Sequence, residues 1–242
     1  MFDPFGDYAT RGYLRNFDRE KDLKIVKIAE HQLFRAQLPA ALEFLAGQKR
    51  IEYADFLSVH RILFEGLYPW AGSDRSEILP DKAVKKGQIY FCHPQSCQRA
   101  VSEALSIAQD KNQMALRPGL VMGLFAFGHP FLDGNGRTML IVHAELCFRA
   151  NMSINWLKTS KQAYLDALTL EIESPSSGYL DDYLRPFIEQ QIPRDHWLKT
   201  VSAMPGLDGD SASMDNLEGY SNPAIAREYQ DFENRRGYRF EE

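Results

Sequence analysis

Between Pro118 and Phe127 the chain is apolar nearly all round, with Leu120, Val121, Met122, Leu124 and Phe125 leaving no polar face. A helix of that kind has no solvent side and must be enclosed by other elements. It is far too short to cross a bilayer, so its enclosure is protein. The patterns around it are mostly helical too. Apolar spacing predicts helices over Asp18–Leu45 (broken in two by Pro39), Tyr53–Leu67, Ser96–Gln109, Asn135–Ala150, Lys161–Ile172, Tyr179–Gln190 and Ala224–Arg235. Gln88 to Cys92 is the one strand candidate, by its β-branched and aromatic content. The expected fold class is therefore all-α.

At 242 residues, 44% hydrophobic and 25% charged, the chain can bury a core. Its net charge of -5 offers no general attraction to nucleic acid or anionic lipid. The start, Met1-Phe2-Asp3-Pro4, carries no secretory pattern. Cys92, Cys97 and Cys147 form no Cys-x-x-Cys pair, as expected of free thiols in a reducing cytoplasm. From Pro205 onward stand nine acids against four bases, so the tail holds the whole net charge. Three parts are expected: an N-terminal helical extension over 1–50, a central domain over 51–204, and an acidic tail over 205–242. The tail's first stretch, Pro205 to Asn222, has the composition of a linker.

The stretch with chemistry in it is His129-Pro130-Phe131-Leu132-Asp133-Gly134-Asn135-Gly136-Arg137, a turn between two apolar helices. Its glycines let backbone N–H groups approach a ligand closely, at a helix N-terminus that favours anions. Arg137 is unfavourable against the helix dipole there unless an anion is bound. Asp133 offers a hard oxygen for Mg²⁺ beside phosphates, and His129 can accept a proton near neutral pH. No strand precedes Gly-Asn-Gly and no Gly-Lys-Ser/Thr is present, which argues against a Rossmann turn and a P-loop. No third His or Cys stands at zinc spacing.

This stretch resembles the signature of the Fic family, His-x-Phe-x-Asp/Glu-Gly-Asn-Gly-Arg-x-x-Arg. Val59 to Gly72, ending Tyr-Pro-Trp-Ala-Gly, is similar to the family's conserved helix and turn. Lys86-Gly87 before Ile89-Tyr90-Phe91 resembles its flap. The resemblance implies a Fic-type helical core with a small β-hairpin flap over the active site. It also implies Mg²⁺-dependent transfer of AMP from ATP to a Ser, Thr or Tyr hydroxyl of a target protein. His129 would be the base and Asp133 the metal ligand. Gly134, Asn135, Gly136 and Arg137 would bind phosphate, Tyr164 would line the nucleoside pocket, and Phe131 would anchor the loop. Gln88, Ile89, Tyr90 and Phe91 would pair with the target as an added strand. A toxin-like role, with a small antitoxin-like inhibitor as partner, belongs to the same expectation.

The sequence departs from that pattern at Leu140, where the family has its second arginine. Arg75 is the base nominated to replace it. Loss of that arginine supports an alternative: a nucleotide-binding interaction module, or an enzyme with an altered donor and little AMP transfer. The kinase-like Doc proteins carry Lys where Gly136 stands, so Gly136 argues against phosphate transfer of that kind. The family's inhibitory pattern, Ser/Thr-x-x-x-Glu-Gly/Asn, has no clean copy. Glu218-Gly219 and Glu233-Asn234 have its ending and are the candidate regulatory glutamates.

Overall fold

The structure is a computed structural model that describes residues 3–175, 177–202, 204, 207 and 216–240. The described helices are α1 (Tyr8–Arg11), α2 (Leu23–Gly47), α3 (Tyr53–Phe64), α4 (Arg75–Ile78), α5 (Cys97–Gln109), α6 (Lys111–Leu116), α7 (Pro118–Gly128), α8 (Asn135–Arg149), α9 (Lys161–Glu173), α10 (Tyr179–Leu184), α11 (Trp197–Ser202) and α12 (Pro223–Arg236). The strands are β1 (Lys82–Lys86), β2 (Ile89–Tyr90), β3 (Met152–Ile154), β4 (Ile188–Gln190) and β5 (Asn216–Gly219). The fold is all-α with a small hairpin, as expected.

Every residue of α7 is buried. Helices α5, α8, α9 and α10 enclose it, which is what a helix without a polar face requires. Gly119 shows how tightly: a Cβ there would lie 2.3 Å from the backbone nitrogen of Asp181, while Asp181 Oδ1 accepts the Gly119 N–H at 2.6 Å.

Helix α2 runs unbroken through Pro39, contrary to the expected break. Pro39 is exposed, so the carbonyl that its missing N–H leaves unpaired faces water. The buried stripe Val26, Phe34, Leu38, Ala41, Leu42 and Leu45 holds both halves against α3, α8 and α11. A proline inside a helix costs about 3 kcal/mol. Burying that many side chains, at about 1.5–3 kcal/mol for each large one, outweighs it. The pattern at 179–190 also resolves differently, into α10, a 3₁₀ turn at Arg185–Phe187, and β4 paired with β3.

The flap is a three-stranded antiparallel sheet in the order β2-β1-β5. The expected linker thus contributes β5, with Ala83 opposite Glu218 and Val84 opposite Leu217; most of the linker lies outside the described residues. Buried side chains from the 1–50 stretch, from 51–204 and from the tail join one hydrophobic core, among them Phe34, Phe125 and Phe232. Among the described residues no helix is long and apolar enough to cross a membrane.

Candidate active site

The loop begins where α7 ends. His129 is the C-cap of that helix, in the left-handed region with φ 42° and ψ 55°. A non-glycine residue there is strained, and the surroundings hold it. The buried Arg75 donates Nε–H to the His129 carbonyl at 2.6 Å. Its backbone N–H bonds the Pro130 carbonyl at 2.8 Å. Its Nη2 reaches the Cys92 carbonyl at 2.8 Å and Cys97 Sγ at 3.4 Å. Arg75 is fully buried, so it is a strut for the loop and not the phosphate ligand the sequence suggested.

Phe131 is buried between His60 and Phe56, its ring centroid 3.7 Å from that of His60. It anchors the loop as expected. His60 is a further loop holder. Gly72 N–H donates to its Nδ1 at 2.9 Å, so Nε2 bears the proton and donates to the Asp133 carbonyl at 3.0 Å. Burial lowers its pKa to about 3, which keeps the ring neutral and the tautomer fixed. The Asn135 side chain braces the loop across its base. Its Oδ1 accepts from Phe131 N–H at 3.0 Å and its Nδ2 donates to the Phe131 carbonyl at 2.8 Å. That side chain is engaged within the loop, which leaves the backbone N–H of Asn135 as its group for phosphate.

Helix α8 starts after Gly134, whose φ of 77° suits glycine; a Cβ there would meet Phe64 at 2.6 Å. A Cβ on Gly136 would meet nothing within 4 Å. The N–H groups of the first turn, Asn135 to Arg137, have no carbonyl one turn back within α8, and Gly136 opens that end toward solvent.

Charges from the distant helix α2 meet this end of the loop. Lys27 Nζ lies 2.5 Å from Asp133 Oδ2 and 3.2 Å from Glu30 Oε2. Glu30, almost fully buried, pairs with Arg137 and accepts the Tyr68 hydroxyl at 2.5 Å. Arg137 sits over the Phe64 ring, 4.6 Å from its centroid. Burial lowers its pKa to about 10, so it stays a cation at neutral pH. Asp133 Oδ1 accepts the Gly134 N–H at 2.7 Å. The carboxylates facing the motif arginine are therefore Glu30 and, at 3.7 Å, Asp133. Glu218 lies on β5 and Glu233 beside Arg236, 3.6 Å away. Met214, at the Ser/Thr position of the inhibitory pattern ending in Glu218-Gly219, and Ser213 beside it lie outside the described residues.

Over the other end of the loop lies the flap. Phe91 stacks on His129 with centroids 3.8 Å apart and planes 15° from parallel. Of the four residues expected to receive a target strand, Gln88 is exposed, while Ile89, Tyr90 and Phe91 are buried. The chain's own tail covers this sheet. Strand β5 takes the outer edge of β1, Glu228 accepts the Tyr90 hydroxyl at 2.7 Å, and the His93 N–H donates to the Tyr229 hydroxyl at 3.0 Å.

Tyr164, expected to line the nucleoside pocket, and Leu140, which replaces the family's second arginine, are both buried here. Leu140 is 5% exposed, so it presents no position for a phosphate contact. Tyr164 packs edge-on against Trp156, and its buried hydroxyl has no partner among the described residues. No group of three or more His, Cys, Asp or Glu able to hold a metal exists among the described residues. Cys92, Cys97 and Cys147 are free thiols.

Residues 50–147 match the Fic/DOC family. The chain is 28% identical over 127 residues to the probable protein adenylyltransferase y4lH of Sinorhizobium fredii, a match covering 49% of this chain and 64% of that one. It is 34% identical over 107 residues to the protein adenylyltransferase VbhT of Bartonella schoenbuchensis, covering 43% of this chain and 22% of that one. The chain thus spans less than two thirds of either relative. In structure it resembles BepC of Bartonella tribocorum, solved with bound AMPPNP, at a TM-score of 0.62 and 18% identity, covering 76% of this chain and 96% of that one. That likeness bears on the fold.

Proposed function

From the premise that residues 50–147 belong to the Fic/DOC family, we propose that the protein transfers AMP from ATP to a hydroxyl side chain of a target protein. One observation carries this reading: His129 and the open first turn of α8 stand at the two ends of one short loop that the core holds rigidly. Two similar proteins are described as a probable protein adenylyltransferase and a protein adenylyltransferase.

In this reaction His129 takes the proton of the target hydroxyl. The hydroxyl oxygen attacks the α-phosphorus, the bond to the bridging oxygen breaks, and pyrophosphate leaves. Such chemistry needs positioning and charge neutralisation more than covalent help. The N–H groups of Asn135, Gly136 and Arg137 point toward the phosphates. Phe91, stacked on His129, fixes the plane of the base. Mg²⁺ is commonly held by one or two carboxylates together with substrate phosphates. Asp133, partly exposed, fits that donor set once Lys27 leaves its Oδ2. Bound there, the ion would supply charge neutralisation at the phosphates. With β5 on the outer edge of β1, an extended target segment would meet the flap on the β2 side, where Gln88 is exposed, and a cytoplasmic setting with an inhibitory protein partner fits the same reading.

A second reading, a nucleotide-binding module with little turnover, is favoured by the burial of Leu140 and by the pairing of Arg137 with Glu30. ATP labelled at the α- or the γ-phosphate decides between them. Label on protein from the α-position, absent in His129→Ala, supports AMP transfer. Label from the γ-position means phosphate transfer. Nucleotide binding without label on any protein supports the module.

A further inference from the structure

A triphosphate carries several negative charges, and the loop that would receive it has few cations to offer. Arg137 is paired with Glu30, and its side chain is 11% exposed. Leu140, one turn further along α8, lies in the core, and Arg75 is bonded to carbonyl groups behind the loop. Lys27 differs from all three. Its side chain is 26% exposed, and its ammonium lies at the mouth of the loop against Asp133, itself 23% exposed. Lysine is a point charge on a long flexible stem. Its pair with Asp133 is partly exposed and so weak, and the ammonium can leave that carboxylate while staying near Glu30, 3.2 Å away.

We propose that Lys27, from α2, is the cation that holds the terminal phosphates of the bound nucleotide and so sets the preference for a triphosphate. The inference rests on the nucleotide reading above. Lys27 lies outside the matched segment 50–147 and reaches the loop only because α2 packs on α3 and α8. In the free protein Lys27, Glu30, Asp133 and Arg137 form a neutral quartet. When phosphates arrive, the Lys27 ammonium swings from Asp133 Oδ2 to a phosphate oxygen, and that carboxylate oxygen becomes available to a divalent cation.

Calorimetry on the full chain tests this with two probes, ATP and inorganic tripolyphosphate, both with Mg²⁺ present. Lys27→Met should weaken binding of both by roughly ten- to a hundredfold, the worth of one charge-assisted contact, with an unchanged melting temperature. Removing Lys27 also leaves Asp133 without its counter-charge, and that alone could repel phosphate. The double variant Lys27→Met/Asp133→Asn separates the two causes. If Lys27 touches phosphate, the double variant stays weaker than Asp133→Asn alone by a similar factor. Recovery to the level of Asp133→Asn would show that Lys27 only neutralises Asp133 and would overturn the proposal, as would unchanged binding in Lys27→Met. Lys27-dependent binding of tripolyphosphate without binding of ATP would show the phosphate contact but sink the nucleotide reading, and with it the claim that Lys27 sets a nucleotide preference. Binding of neither probe to the wild type refutes both.

Discussion

Residues 50–147 and the stretches flanking them handle the candidate site in different ways. The inner segment sets positions. Phe131, His60, Asn135 and Arg75 fix the loop by ring stacking and by bonds to its backbone, and each of these side chains is buried. The flanks supply charge and cover. Lys27 and Glu30 come from α2, and β5 and α12 lie over the flap. Buried contacts to backbone allow one arrangement, because breaking any of them strands a polar group. The buried Glu30–Arg137 pair belongs with the fixed contacts, whereas the partly exposed Lys27–Asp133 pair and an added edge strand are weaker and can exchange partners. The loop's geometry is thus fixed from within, and its charge and access are adjustable from outside.

The sharpest break between the two regions is at the base. His129→Ala should lower transfer by roughly 10²–10⁴-fold, the usual worth of general-base catalysis, and because the ring is buried and stacked on Phe91 the melting temperature should fall as well. Rates are measured with α-labelled ATP, and a variant as fast as wild type would remove His129 from the mechanism. Next is Leu140→Arg. It places an unpaired guanidinium in a position 5% exposed, which costs on the order of 4 kcal/mol or more. A chain of this length loses about 2–4 °C per kcal/mol, so the melting temperature should fall by about 10 °C or the protein become insoluble. A folded Leu140→Arg with wild-type melting and tighter ATP binding would show that this position is adjustable too.

Phe232→Ala tests whether the tail is separable. Phe232, 3% exposed, packs on Tyr90 of the flap. Its truncation costs about 3–5 kcal/mol if α12 unfolds together with the core. If the flanks are adjustable cover, the loss is local: α12 and β5 lose hydrogen-exchange protection while α7 and α8 keep theirs. Uniform loss of protection in all four elements would make the tail part of one cooperative unit and erase the distinction.

The same division explains what the sequence made legible. The all-round apolar α7 and the His129–Arg137 turn are local signals, and both stand where their spacing put them. Phe131 as anchor was legible because an aromatic inside a polar turn has nowhere else to go. The roles of Lys27 and Glu30 depend on contacts to residues 106 and 107 positions away, and neither sits in a local pattern that marks it out. Pro39 misled because its effect depends on which side of α2 faces water. The linker composition of 205–222 concealed β5, whose partner lies over a hundred residues earlier. Arg75 was singled out for its charge, yet its burial gives that charge to carbonyl groups.

The smallest predicted effect lies on the seam between the two regions, at Glu171 of α9. Its side-chain methylene presses against Gly123 of α7, where a Cβ would come within 2.6 Å of its Cγ. One oxygen accepts the Leu180 N–H at 3.0 Å, and the other is buried without a partner among the described residues. Burial, opposed in part by that hydrogen bond, pushes its pKa from 4.5 up to about 7. A carboxyl with a raised folded pKa is protonated in both states below pH 4.5, and its stabilisation is fully present there. The contribution is lost as pH rises through 7, because the folded state must then bury an anion that the unfolded chain solvates. His60 and His143, lowered by burial to about 3 and about 4, act in the opposite sense: their contribution is present above 6.5 and lost as pH falls. Those histidines are the same in Glu171→Gln, so the difference in melting temperature between variant and wild type isolates Glu171. That difference should shift in favour of the variant by about 1–3 kcal/mol between pH 4.5 and pH 8, read by calorimetry at several pH values. A difference independent of pH would mean that Glu171 keeps an ordinary carboxyl pKa, and that the seam between α7 and α9 is wet enough to solvate it.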